Sequence, residues 1–220
     1  MLERLPLSRV NPMASRPAPP YISHMLVSAN APVTSSATRS ARLVVITRAD
    51  DVMGQTGPCV SREIVHVLSG LDVPLILVSR SNAEGVKELQ RQLGISAPFI
   101  SGNGAALNVP PGYLLDAAQN NLRHDRPPDW EIFRFSPPDS AAAVRLLCSL
   151  FAARGEEVMT VGLGCDQTDY GLLTAVDVPI VVRDDCRDQE RLLRGVPGAY
   201  LTHASGVDGW SEALLGVPAP

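Results

Sequence analysis

Short apolar runs rich in β-branched residues, separated by stretches of helical periodicity, constrain this chain more than any other feature. Arg42–Thr47 (RLVVIT), Val73–Val78 (VPLILV), Glu157–Leu163 (EVMTVGL) and Val178–Val182 (VPIVV) have strand length and no sustained apolar/polar alternation. Strands of that kind are buried on both faces. Between them, Ser61–Leu71 places Ile64, Val65, Leu68 and Leu71 on one helical face behind Ser61 as N-cap. Ser81–Leu93 turns Val86, Leu89 and Leu93 inward and stops at Gly94. Ser140–Arg154 does the same with Val144, Leu147, Leu150 and Phe151, and a further helix is expected around Asp169–Ala175. Phe99 and Ile100 open a short strand, and Val178–Val182 is expected to be the last one. Alternation of this kind predicts an α/β, three-layer Rossmann-like fold, with a mostly parallel sheet and helices on both faces. Ligands of such sheets sit at the carboxyl ends of the strands, so the residues to inspect follow Thr47, Val78, Ile100 and Leu163.

The ends of the chain follow a different rule. Residues 1–40 hold six prolines, seven serines, four arginines and one acid, with no period. That composition buries too little surface to offset its ordering entropy, so 1–40 is expected to be a disordered leader. It is either a transit-type segment or an extension upstream of Met25. The domain is expected over 41–215, with 216–220 a frayed tail. Between Gly102 and Ser140 three Pro-Pro pairs break the pattern, and only Trp130–Phe135 (WEIFRF) reads as a strand. A long excursion with at most one hairpin element is expected there.

Charge and cysteine usage exclude several classes. A net charge of −4 argues against a general nucleic-acid binder. No apolar run reaches the length of a membrane span. The four cysteines (Cys59, Cys148, Cys165, Cys186) form no C-x-x-C pair, which fits a reducing, cytoplasmic setting and no zinc site. Lys87 is the only lysine among 19 basic residues.

Four expected strand ends carry small or polar clusters: TRADD (Thr47–Asp51), SRSN (Ser79–Asn82), SGNGAA (Ser101–Ala106) and GLGCDQTD (Gly162–Asp169). Their order and spacing resemble the haloacid dehalogenase-like (HAD) phosphatases, and more narrowly the mannosyl-3-phosphoglycerate phosphatase branch. Further support comes from VMTVGLGCDQTDYGLLTAVDVPIVV and from GAYLTHASGVDGWSEALL, so that the likeness covers most of 42–215. The resemblance implies a HAD core with a cap, Mg²⁺ as cofactor, and hydrolysis of a sugar phosphate. It also implies a cap between the second and third motifs. Only 36 positions separate Asn103 from Asp139, so 102–139 is expected to be a reduced cap, with Trp130–Phe135 its remnant.

In that family the first strand ends in D-x-D-G-T. The first Asp attacks phosphorus, the second protonates the leaving oxygen, and Mg²⁺ offsets the negative charge. Here the strand is followed by Arg48, Ala49, Asp50, Asp51 and Val52. Arg48 takes the nucleophile position and Asp50 the acid/base position. A guanidinium stays protonated and cannot attack phosphorus. The second motif is kept as Ser79, whose hydroxyl suits a phosphate oxygen. The third motif's lysine is Ser140, and the fourth motif keeps Asp169 but has Cys165 in place of a metal-ligand Asp. Thiolate suits Mg²⁺ poorly. Arg48 with Ser79 and Asn103 can form an anion pocket for a small phosphorylated ligand. Alternatively Arg48 is a structural partner of Asp50, Asp166 or Asp169. Asp50 and Asp169 are either cation ligands or carboxylates neutralised by Arg48. Asn103-Gly104 is expected to make a tight turn.

Overall fold

The computed structural model describes residues 41–49, 73–113, 129–184 and 189–216. The expected leader 1–40, Asp50 and Asp51, the expected helix over 61–71 and residues 217–220 of the tail lie outside the described residues. The central strand β1 (Arg42–Arg48) is flanked on one side by β2 (Leu75–Val78) and β3 (Phe99–Ser101). On its other side lie β6 (Val158–Gly164), β7 (Val178–Arg183) and β8 (Tyr200–Ser205), and all six strands run parallel. Two antiparallel strands, β4 (Ala106–Val109) and β5 (Glu131–Arg134), complete the order β5-β4-β3-β2-β1-β6-β7-β8.

The continuous apolar runs are explained by two covered faces. Side chains alternate across a strand with a period of two. Val45, Leu75, Leu77, Phe99 and Leu163 therefore point to one face, where Val86 and Leu89 of α1 (Ala83–Leu93) and Trp210 and Leu214 of α5 (Gly206–Leu215) meet them. Val44, Ile46, Ile76, Val78 and Ile100 point to the other, against Val144, Leu147 and Phe151 of α2 (Ser140–Ala153). Leu172 of the short α3 (Tyr170–Leu173) joins that second layer, and α4 (Glu190–Gly195) packs Leu192 on Val181 beyond it. The helix limits have local causes. The Asn82 side chain accepts from the Gly85 N–H at the start of α1, and Gly94 closes that helix in the left-handed region. Asp139 caps α2 through the Ala142 N–H.

Two expectations are corrected here. Val178–Val182 is not the last strand, because β8 follows it. Its sequence, YLTHAS, is only partly buried at the sheet edge and so carries no continuous apolar run. Trp130–Phe135 is not the only strand of its segment, because β4 precedes it. Segment 102–139 contributes β4 and β5 to the central sheet, with Leu107 opposite Phe133 and Asn108 opposite Ile132. The free edge of β4 is satisfied in this way, and Trp130 packs edge-on against Phe99 at 5.4 Å. Residues 114–128 of that segment lie outside the described residues. Among the described residues no helix is long and apolar enough to cross a membrane.

Candidate functional site

The parallel register brings the four strand ends to one edge. Arg48 lies level with Val78, one residue beyond the pairing of Thr47 with Leu163, and Val78 is paired with Ile100. The side chains that follow these positions converge. Arg48 is 3% exposed and Asp169 1% exposed, so both charges are buried. The Arg48 Nε–H donates to Asp169 Oδ1 at 2.5 Å. Its Nη2 donates to the Thr168 hydroxyl, and its Nη1 to Asn103 Oδ1 at 3.3 Å. One guanidinium thus ties β1 to the turn after β3 and to the turn after β6.

Each partner is itself held by local sequence. Asp169 Oδ2 accepts from the backbone N–H groups of Cys165, at 2.8 Å, and Asp166, at 3.2 Å. Asp166 accepts from both the N–H and the hydroxyl of Thr168, and a capping box over the 3-10 turn Gln167–Asp169 pairs the Asp166 side chain with the Asp169 N–H and the Asp169 side chain with the Asp166 N–H. A methyl group on Gly164 would stand 2.5 Å from Asp169 Cβ, so the fold-back of Asp169 needs glycine there. Asn103 sits at φ 54° and Gly104 at φ 93°, the tight turn expected for Asn103-Gly104. Ser79, 1% exposed, accepts at its hydroxyl from the Ser81 N–H, while its carbonyl accepts from the Asn103 N–H.

The other sequence-derived candidates are placed as follows. Ser140, at the lysine position, is buried in the first turn of α2, where the Asn103-Gly104 turn and α3 press on it. Lys87 pairs with Glu84 at 2.9 Å and lies 5.0 Å from the Trp130 ring, so it supplies no relocated ammonium to Ser140. Cys165 is buried, and its carbonyl accepts from Gln189 Nε2 at 2.7 Å. Asp50 lies outside the described residues. Of the carboxylates expected as partners of Arg48, Asp169 is ion-paired to it. Three contributors were missed: Thr168, Gln189 and Trp210. Gln189 bridges the Cys165 and Val182 carbonyls, and the Trp210 indole N–H donates to Thr47 Oγ1 at 2.9 Å beneath the site. Thr168 had a signal in its place between Asp166 and Asp169. Trp210 had none, because its partner is 163 residues away.

The arrangement supplies no nucleophile at position 48. Among the described residues it also does not fit Mg²⁺. Both oxygens of Asp169 are engaged, one of them by a permanent cation, and Cys165, which the resemblance sets at a ligand position, is a thiol. Among the described residues, no group of three His, Cys, Asp or Glu side chains could hold a metal ion.

With this geometry in hand, comparison with solved structures defines the class of fold. A HAD-superfamily phosphatase of Bacteroides thetaiotaomicron superposes with a TM-score of 0.54 at 11% identity, covering 84% of this chain and 100% of its own. YhjK of Bacillus subtilis, a haloacid dehalogenase-like hydrolase protein, gives 0.51 at 12% identity, covering 89% and 97%. A protein of Thermoplasma acidophilum gives 0.51 at 12%, covering 80% and 96%. The fold is accordingly a HAD-type Rossmann-like core. No protein-family model and no curated protein matches the sequence.

Proposed function

We propose that this protein is a catalytically silent relative of the HAD phosphatases that binds a small phosphorylated ligand without hydrolysing it. The observation that carries this reading is the Arg48 guanidinium at the nucleophile position, ion-paired to Asp169. An aspartate there would be phosphorylated and then hydrolysed. A guanidinium does neither, and loss of the nucleophile alone removes most of a rate enhancement. The ligand class follows from the outer contact of the same group. Nη1 meets Asn103 at 3.3 Å, and Asn103 is exposed. A phosphate oxygen can replace that amide oxygen without separating the buried ion pair, as a charge-assisted hydrogen bond stronger than the one it displaces. The resemblance to mannosyl-3-phosphoglycerate phosphatases narrows the proposed ligand to a sugar phosphate of that kind.

The test is a turnover assay on a panel of sugar phosphates, mannosyl-3-phosphoglycerate included, with and without Mg²⁺, alongside melting curves in inorganic phosphate. No turnover, and stabilisation by phosphate that is lost in Arg48→Met, is the expected pair of results. Metal-dependent turnover lost in Asp50→Ala and kept in Arg48→Ala identifies an active phosphatase and overturns the silent reading. Absence of any phosphate effect removes the ligand.

A further inference from the structure

We infer that the Arg48 guanidinium does the structural work of a divalent cation at the carboxyl edge of the sheet. The fold is then complete without metal, and reversing the charge at position 48 opens a cation site. This concerns what holds the strand ends together and does not depend on the ligand proposed above.

The donor set around Arg48 carries the inference. Three oxygens from two separate turns face one positive group: the carboxylate of Asp169, the hydroxyl of Thr168 and the amide carbonyl of Asn103. Carboxylate, hydroxyl and carbonyl oxygens are the ligands that hard cations take. The Asp169 carboxylate is 1% exposed and held in orientation by two backbone N–H groups on its second oxygen. A carboxylate buried that deeply needs a full positive charge close by. In a fold that resembles metal-dependent phosphatases the charge would come from solution. Here it is covalently part of β1. The planar guanidinium reaches three oxygens through three different nitrogens and therefore couples the same three chain segments that a bound ion would couple.

The experiment uses the full chain in phosphate-free buffer. Melting temperature is read in EDTA and in excess Mg²⁺, Mn²⁺ or Ca²⁺ for the wild type, Arg48→Lys and Arg48→Asp. Wild type and Arg48→Lys are expected to melt at the same temperature in EDTA and in metal. Arg48→Asp is expected to melt well below wild type in EDTA and to rise by about 5–10 °C when metal exceeds its Kd roughly a hundredfold. If Arg48→Asp is unfolded in EDTA, recovery of its circular dichroism on adding metal supports the inference equally. A folded Arg48→Asp that ignores all three ions, or one that stays unfolded in their presence, overturns the cation site. The wild type gives an independent check. Site-specific paramagnetic broadening of the Cys165 and Asp166 amide signals by Mn²⁺ would show metal beside Asp169 and overturn the claim that the guanidinium replaces it.

Discussion

Arg48→Met is the sharpest perturbation of the site. Methionine keeps the unbranched stem that packs at the end of β1 and removes only the charge and its donors. Two unit charges about 4 Å apart attract by about 4 kcal/mol at an effective dielectric near 20. Both partners here are almost wholly buried, with side chains 4% and 1% exposed. Removing Arg48 therefore takes the buried Asp169 carboxylate's paired cation away, which costs about 3–5 kcal/mol. Asp169 keeps its two backbone donors after the change. They temper the loss without supplying a net positive charge. For a domain of this size, that predicts a fall in melting temperature of roughly 6–20 °C. Asp169→Asn should cost a similar amount. If its amide oxygen takes the Cys165 and Asp166 donors, its NH₂ group is left facing the guanidinium. The double variant Arg48→Met/Asp169→Asn separates pairing from mere loss of contacts. Its destabilisation should fall short of the sum of the singles by about 2–3 kcal/mol. Calorimetry or urea unfolding of the four proteins measures the cycle. Additivity within about 0.5 kcal/mol, or a near-neutral Arg48→Met, would show that the two groups sit together without holding the strand ends.

Two further outcomes follow from neighbouring geometry. Gly104→Ala places a methyl group 2.3 Å from the Ser140 backbone nitrogen at φ +93°, whereas Gly198→Ala at φ +80° meets nothing within 4 Å. Thermal unfolding should show a loss of about 1–3 kcal/mol for Gly198→Ala from backbone strain alone and at least ~2 kcal/mol more for Gly104→Ala, and equal losses would contradict the close docking of the turn on α2. Burial of Glu212 acts to raise its carboxyl pKa, but the Ala204 N–H, the His203 ring and backbone and the Tyr200 hydroxyl together hold it below the ordinary value. A depressed folded pKa gives stability that is fully present above the unfolded value of about 4.3 and is lost as pH falls through the folded value. Urea midpoints measured down from pH 6 should drop less steeply in Glu212→Gln than in wild type, and parallel profiles would remove Glu212 from the acid response.

The elements legible in the sequence are those whose cause is local. RLVVIT and VPLILV are continuous because two helical layers cover them, so their strand assignment needed nothing beyond composition and length. Asn82 and Gly94 bracket α1, and Asp139 starts α2, through contacts within four residues. YLTHAS carries no strand signal for the opposite reason. It is an edge strand whose place is fixed by pairing with β7, not by its own pattern, whereas WEIFRF at the other edge does read as a strand.

The site divides along the same line. Arg48, Ser79, Asn103 and Asp169 could be named because each ends a strand or opens the turn after one, and a parallel sheet gathers such positions without further information. What could not be read was the ion pair of Arg48 with Asp169 and its geometry. The pattern Asp166–Asp169 does not say how either carboxylate is turned. The capping box sets Asp169: its Oδ2 accepts from the Asp166 N–H, its Oδ1 faces β1 from 121 residues away, and Gly164 leaves room for its Cβ. A positive charge at the end of β1 completes that arrangement, and a carboxylate in its place would oppose Asp169 unless a cation lay between the two.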